Sequence, residues 1–468
     1  MTQTQDAQNG KHAPRILLTP LRSALIAGHA QRLPVLVRIQ APDAPQENAR
    51  QRPPYHLALV IDRSGSMSGE PLFEAKRCAW HMVEQMRPDD RVSLVQFDDG
   101  VDVLVPATPV GDRTALRRAL DGIHEGGSTN LHGGWVAGGR GLLDHVSQAG
   151  LSRVILLSDG NANVGVDDPE AIVRHCRQFA DQGVSTSTYG LGHSFNEDLM
   201  VAMAKGGQGN HYYGETAQDL FEPFAEEFDL LSNLWGRHVH LALGAPAGVR
   251  VALLNDYEVE DLRGFPVARM PELAWGAEAW ALVELHVPAA PEGAEPVYLL
   301  QVEVTAVDLD GNPIAFPEAQ LKLPVLSAQT WEALVQDPLV AQRQAELAAG
   351  KMLEEARAAA RQGDWRRIEQ LLDQARQRFA DNPWVQQVLQ SMAELAARRD
   401  VFAFAKEARY STRRMNSRLT AKDEALSSAQ DIGLPSFLRR KSAQGKAQFR
   451  RGSGDGGGDG GNNVPPVV

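Results

Sequence analysis

Two cysteines in 468 residues, Cys78 and Cys176, are too few for a disulfide framework. Neither has a second cysteine or a ligand-spaced histidine nearby, which argues against a zinc knuckle. No apolar run approaches the roughly 18 residues that a membrane-spanning helix needs. The opening MTQTQDAQNGKHAPR lacks the apolar core of a secretory leader, so a cytoplasmic protein is expected. Positive charge is in deficit: the formal net charge is −12, which argues against a general affinity for nucleic acid or anionic membrane. A GxxxxGK[ST] phosphate loop is also missing, so any ATP work falls to a partner. What remains is a globular composition, 43% hydrophobic and 23% charged, on a chain too long for one core.

The hydrophobic pattern changes character along the chain. Residues 1–14 are polar and expected to be disordered. Residues 15–52 hold two short β-like runs, RILLTPL and PVLVRIQAP. From 55 to 234 strands alternate with amphipathic helices. YHLALVI, RVILLSD and VSTSTYGLG read as buried strands, and RVSLVQF and VDVLVPA as a hairpin around Asp98–Gly100. LFEAKRCAWHMVEQM puts Leu72, Ala75, Ala79, Met82, Val83 and Met86 on one helical face. Such β/α alternation predicts a mostly parallel sheet covered on both faces. Residues 237–326 switch to period-2 alternation with turns such as Asp310-Gly311-Asn312-Pro313, the pattern of an antiparallel β-sandwich. That stretch supplies four or five strands, few for a closed sandwich. The early strands at 15–52 would complete it, with the α/β domain inserted between them. Residues 327–428 read as helices broken at Gly363-Asp364 and Asp381-Asn382-Pro383, with one hairpin similar to a tetratricopeptide unit. The stretch 434–468 is a basic segment, FLRRKSAQGKAQFRR, followed by a Gly-rich one; both are expected to be disordered.

The sharpest chemical feature ends the first α/β strand: LVIDRSGSMSGEP, with Asp62-x-Ser64-x-Ser66. Downstream, GGSTNLHGG offers Thr129 and VILLSDG offers Asp159 at a strand tip. Three loops at the carboxyl ends of neighbouring parallel strands converge at a sheet crest, where open α/β sheets bind ligands. The donors are hard oxygens, two carboxylates and three hydroxyls, which suit Mg²⁺, Mn²⁺ or Ca²⁺ and disfavour zinc or copper.

Asp62-x-Ser64-x-Ser66, Thr129 and Asp159, in this order, resemble the metal-dependent adhesion site (MIDAS) of von Willebrand factor type A (VWA) domains. The resemblance covers about residues 55–234. It implies a Rossmann-like fold in which Ser64, Ser66 and Thr129 bind the metal directly and Asp62 and Asp159 act mostly through water. A cation held by neutral hydroxyls stays electrophilic, so the implied function is capture of an Asp or Glu from a protein partner. The order VWA, sandwich, helices is similar to bacterial cytosolic VWA proteins, and the wider family implies an adaptor or scaffold, some of its members serving ATPases, signalling kinases or phosphatases. GGQGNHYYGETAQDLFEPF is similar to the family's last strand and closing helix.

The same residues admit other readings. Gly65-Ser66-Met67-Ser68-Gly69 fits the G-x-S-x-G elbow of a serine hydrolase with Ser68 as nucleophile and Asp159 and His193 downstream. The elbow needs its serine on a tight turn directly after the strand, and Ser68 comes six residues past Asp62. A non-ATP-binding subunit of an ATPase-driven, chelatase-like complex is a further alternative. His132 is taken as a first-turn helix residue and Asp98-Asp99 as a solvated turn, not as metal ligands. His211-Tyr212-Tyr213 reads as a strand end packed on the core, Trp275 and Trp280 as sandwich core, and Trp365 and Trp384 as helix-packing residues. The basic tail is a solvated segment or a docking peptide.

Overall fold

The computed structural model describes residues 13–42, 54–146, 151–191, 196–214, 233–262, 265–293 and 295–417. The expected disorder at 1–12, the closing helix after Gly214, the helical stretch past 417, the tail and His193 lie outside these ranges.

The chain opens with β1 (Arg15–Pro20), β2 (Leu25–Ile26) and β3 (Gln31–Gln40). It then enters the α/β body: β4 (Tyr55–Asp62), α1 (Glu70–Gln85), β5 (Arg91–Phe97), β6 (Val101–Pro109), α2 (Thr114–Asp121), α3 (Leu131–Leu143), β7 (Leu151–Ser158), α4 (Pro169–Asp181), β8 (Val184–Leu191), α5 (Glu197–Gly206) and β9 (Gln208–Gly214). The strand order is β6-β5-β4-β7-β8-β9. Every pairing is parallel except the β5–β6 hairpin.

Strand β4 shows why this sheet is covered on both sides. Tyr55, Leu57, Leu59 and Ile61 pack with α1 and α2. The alternate residues Ala58 and Val60 pack with α3, α4 and α5. Both periods of the strand are apolar, as a doubly covered parallel strand requires. Helix α3 lies unusually close: a Cβ on Gly138 would sit 2.4 Å from Val60 Cγ2, so only glycine lets the helix reach this depth.

The return path is antiparallel apart from its last strand, which pairs parallel with β2: β10 (Leu234–Gly244), β11 (Arg250–Leu253), β12 (Val259–Leu262), β13 (Phe265–Arg269), β14 (Leu273–Ala274), β15 (Glu278–Val287), β16 (Val297–Val307), β17 (Ala319–Leu323) and β18 (Val325–Leu326). One sheet runs β1-β3-β15-β11 and the other β12-β13-β10-β16-β17. Strand β3 pairs along its full length with β15, from Gln31↔Val287 to Gln40↔Glu278. Val35, Val37 and Ile39 from before the α/β body therefore share a core with Leu241, Val283 and Val302 from after it. The α/β domain is inserted in an antiparallel sandwich. The β12–β13 hairpin was not anticipated, because its Asp261–Pro266 centre reads as loop.

Helices α6 (Ala328–Glu332), α7 (Pro338–Arg361), α8 (Trp365–Arg378), α9 (Pro383–Arg398) and α10 (Val401–Ser417) follow. Asp337, Asp364 and Asn382 cap the starts of α7, α8 and α9 with their side chains. Trp365 and Trp384 pack in the helical core. Trp280 corrects the sequence reading: it is buried against Val340 and Leu347 of α7, on the outer face of its sheet, not between the sheets. Trp275 does pack on the sandwich core.

The α/β body is tied to its neighbours by ion pairs. Arg153, fully buried on β7, donates to Glu272 Oε2 at 2.7 Å and to Ser185 Oγ at 2.7 Å. Arg177 of α4 pairs with Glu258. Both cysteines are free and buried.

Candidate metal centre

Three loops at the carboxyl edge of the parallel strands carry the five oxygen-bearing residues. The first follows β4, whose last residue is Asp62. The chain passes through a short 3₁₀ turn (Gly65–Met67) and enters α1 at Gly69, whose φ of 78° lies in the left-handed region. The second loop lies between α2 and α3 and ends at Asn130, whose side chain caps α3 by accepting from Gly133 N at 3.0 Å. The third follows β7 and ends at Asp168, which caps α4.

These loops are stitched into a closed ring. Gly65 N donates to Gly127 O (2.9 Å) and Gly126 N to Arg63 O (2.7 Å), joining the first loop to the second. Thr129 N donates to Asn163 Oδ1 at 2.7 Å, and Thr129 O accepts from Asn163 N and Val164 N, both at 3.1 Å, joining the second to the third. Ser158 Oγ donates to Asp62 Oδ2 at 2.6 Å, closing the ring. Within the first loop Ser64 N donates to Asp62 Oδ1 at 2.9 Å, and the Ser64 and Ser66 hydroxyls are 3.3 Å apart.

The hydrogen bonds tie together the three loops that carry the five residues. Asp62, Ser64, Thr129 and Asp159 are buried, whereas Ser66 is exposed at the mouth. Asp62 is fully buried and has only hydrogen bonds for company. Desolvation pushes its carboxyl up to about 6; hydrogen bonds from Ser158 and Ser64 pull it down, and the nearby charge of Asp159 pushes it further up. Among the described residues no group of three or more His, Cys, Asp or Glu converges as a metal-holding set. Two carboxylates and three hydroxyls are thus what these loops offer. The set fits a hard cation: Asp62 is a buried negative charge beside a second one, with no cation paired to either among the described residues.

Three further residues shape the site and were missed or misjudged in the sequence. Asp98 is not solvated: it is buried, receives Arg63 Nη2 at 2.7 Å, and accepts from Gly127 N at 3.2 Å. Its backbone oxygen accepts from Asn130 N at 2.6 Å. It is therefore a strut between the first two loops. Asp99 is exposed, as a turn residue would be. Ser158 and Asn163 close the ring, and the signal for either was its place within four residues of Asp159. His132 is indeed in the first turn of α3, and its Nε2 lies 2.8 Å from His175 Nδ1. His211 lies on β9 with Nδ1 at 2.9 Å from Thr188 Oγ1, and Tyr212 stacks on Tyr189. Ser68 is an exposed residue after the 3₁₀ turn, its N donating to Gly65 O at 3.2 Å; no histidine among the described residues hydrogen-bonds it.

The α/β body is a doubly wound, mostly parallel sheet with helices on both faces. Residues 56–226 match the family model of the von Willebrand factor type A domain, and the chain carries a VWA domain. It is similar to an uncharacterized Synechocystis protein, 25% identical over 54% of this chain and 62% of that one. It is also similar to the uncharacterized Escherichia coli YfbK, 32% identical over 40% of this chain and 33% of YfbK. The inter-alpha-trypsin inhibitor heavy chain H3 of Mesocricetus auratus is 31% identical over 32% of this chain and 18% of its own. The chain therefore spans less than two thirds of these curated relatives. Among solved structures, a von Willebrand factor type A protein from Catenulispora acidiphila superposes with a TM-score of 0.62 at 16% identity, covering 82% of this chain and 91% of its own. The ArnB paralog VWA2 of Sulfolobus acidocaldarius gives 0.54 at 17% identity over 86% and 99%. Those two likenesses speak to fold alone. No helix among the described residues is long and apolar enough to cross a membrane.

Proposed function

We propose that the chain is a cytoplasmic, non-enzymatic adaptor or scaffold that captures an acidic residue of a protein partner through a divalent cation held at Asp62, Ser64, Ser66, Thr129 and Asp159. When bound, Mg²⁺, Mn²⁺ or Ca²⁺ supplies a positive charge with a coordination position left for an outside carboxylate. The observation that carries the reading is the buried Asp62, which no Lys, Arg or His among the described residues neutralises, within a ring of three hydrogen-bonded loops. Ser64 and Thr129 offer neutral hydroxyls from inside, and Ser66 offers one at the open side. Asp62 and Asp159 supply negative charge while Ser158, Ser64 N and Asn161 N hold their carboxylates in place. Asp98 and Arg63 fix the first two loops against each other, so little ordering is left to be done on binding.

The test is partner capture by the full chain in Mg²⁺ and in EDTA, with Asp62→Ala as control. A partner retained in Mg²⁺, released by EDTA and lost in the variant supports the reading. Capture indifferent to chelation refutes it.

A further inference from the structure

Helix α5 touches the metal loops at one end and the helical region at the other side of its first turn. Its cap residue Asn196 donates its backbone N–H to Asp159 O at 2.8 Å. Its side-chain Oδ1 accepts from Leu199 N at 3.2 Å, fixing the helix start. The contact is close: a Cβ on Gly160 would sit 3.1 Å from Asn196 O and 2.8 Å from Met200 Cγ. The next two residues, Glu197 and Asp198, point at α7. Arg357 Nη2 lies 2.8 Å from Asp198 Oδ1 and 3.5 Å from Glu197 Oε2, and Arg361 Nη2 lies 2.6 Å from Asp198 Oδ2. Arg357 is itself buried and braced by Glu354, which also receives Arg409 of α10 at 3.3 Å. Burial pushes the Glu197 carboxyl up to about 7, while Arg357, Arg409 and Lys406 pull it down and Asp198 pushes it up. This first turn is therefore clamped by cations from a separate body while its cap holds the backbone of a metal-site residue.

We propose that Arg357 and Arg361 are positioning residues for the metal centre: through Glu197, Asp198 and the Asn196–Asp159 hydrogen bond, the helical region sets the placement of the third metal loop. The inference rests on the metal reading of the site. By linkage, whatever moves α7 changes the affinity of the loops for cation, and occupancy of the loops is felt at α7. The path is one helix turn long and is made of hydrogen bonds and ion pairs. A partner that docks on the helices would thus be coupled to the carboxylate captured at the crest.

The experiment uses the full chain with four variants. Arg357→Met and Arg361→Gln cut the clamp, Arg357→Lys restores one cation, and Arg269→Gln cuts a different tie, that between the sandwich and Asp181 of α4. Hydrogen exchange without metal reads the backbone of 158–168, where the N–H groups of Gly160, Asn161, Asn163 and Val164 are bonded. Calorimetric titration reads Mg²⁺ affinity. Arg361→Gln and Arg357→Met are expected to speed exchange in 158–168 about three- to tenfold and to weaken Mg²⁺ binding by a similar factor, typical of coupling between sites. Arg357→Lys is expected to fall between them and the parent, and Arg269→Gln to match the parent. Should Arg357→Met fail to fold, the half-exposed Arg361 carries the test. Unchanged exchange in 158–168, faster exchange with unchanged Mg²⁺ affinity, or an equal change in Arg269→Gln each overturns the proposal. A parent chain that takes up no Mg²⁺ removes the metal reading instead, and exchange alone then decides whether α7 positions the loop.

Discussion

Replacing Asp62 by Asn separates the cost of the site from its use. In the folded chain without metal, the Asp62 carboxyl is held at about 6, against an ordinary 3.8. Because the folded-state value is raised, the native state binds the extra proton. Stability is therefore lost as pH climbs from 3.8 through 6, and the penalty is complete above that window. A rise of this size corresponds to about 3 kcal/mol at neutral pH. An amide keeps the hydrogen bonds: its oxygen accepts from Ser64 N, and its nitrogen donates to Ser158 Oγ, which has a lone pair left beside the one given to Gly160 N. Scanning calorimetry in EDTA at pH 7.5 should then show Asp62→Asn melting above the parent, by roughly 6–12 °C if the whole penalty is relieved. At pH 4 the two should melt together. Added Mg²⁺ should raise the parent only, by about 2.7 kcal/mol at a hundredfold excess over its dissociation constant. A variant less stable than the parent in EDTA at pH 7.5 would contradict the reasoning, because Asp62 would then be stabilised by something other than a bound cation.

The other expectations concern parts of the same scaffold. Thr129→Val keeps the backbone bonds to Asn163 and Val164, so its fold should survive while Mg²⁺ affinity drops at least about tenfold, one direct hydroxyl ligand being lost; titration calorimetry and circular dichroism check both halves. Asp98→Ala leaves Arg63 and Gly127 N without their acceptor and should cost about 2–3 kcal/mol in urea unfolding, with weakened metal binding alongside. Gly138→Ala drives a methyl against Val60 and should cost about 1–3 kcal/mol by the same assay with Mg²⁺ affinity unchanged. Glu272→Ala removes the carboxylate paired with the buried Arg153 and should cost about 3–5 kcal/mol in urea unfolding at neutral pH.

Much of this architecture was legible from residue types and periods. Strand β4 reads as doubly buried because both of its alternating sets are apolar, and the insertion follows from strands at 15–40 too few to form a sandwich alone, matched to a later stretch also short of strands. The candidate oxygen ligands stand out in the sequence because Asp62, Ser64 and Ser66 alternate on one loop, Thr129 sits in a Gly-rich loop and Asp159 at a strand tip. What stayed hidden depends on contacts distant in sequence. Asp98 looked like a turn residue because Asp-Asp-Gly is turn chemistry, and its burial comes from Arg63 and Gly127. Trp280 faces α7 because β15 is covered on both sides, which local alternation does not tell. The α5 clamp needed Arg357 and Asp198 to meet across 159 residues. Val-Glu-Asp-Leu-Arg-Gly-Phe-Pro carries too much charge and too much turn propensity to read as the hairpin it forms.

Calorimetric titration of the full chain with Mg²⁺ and Mn²⁺ at pH 7.5, beside Asp62→Asn and Thr129→Val, tests the central claim most directly. The account predicts one cation per chain for the parent and none detectable in Asp62→Asn. No heat from the parent, or equal binding by parent and both variants, would contradict it.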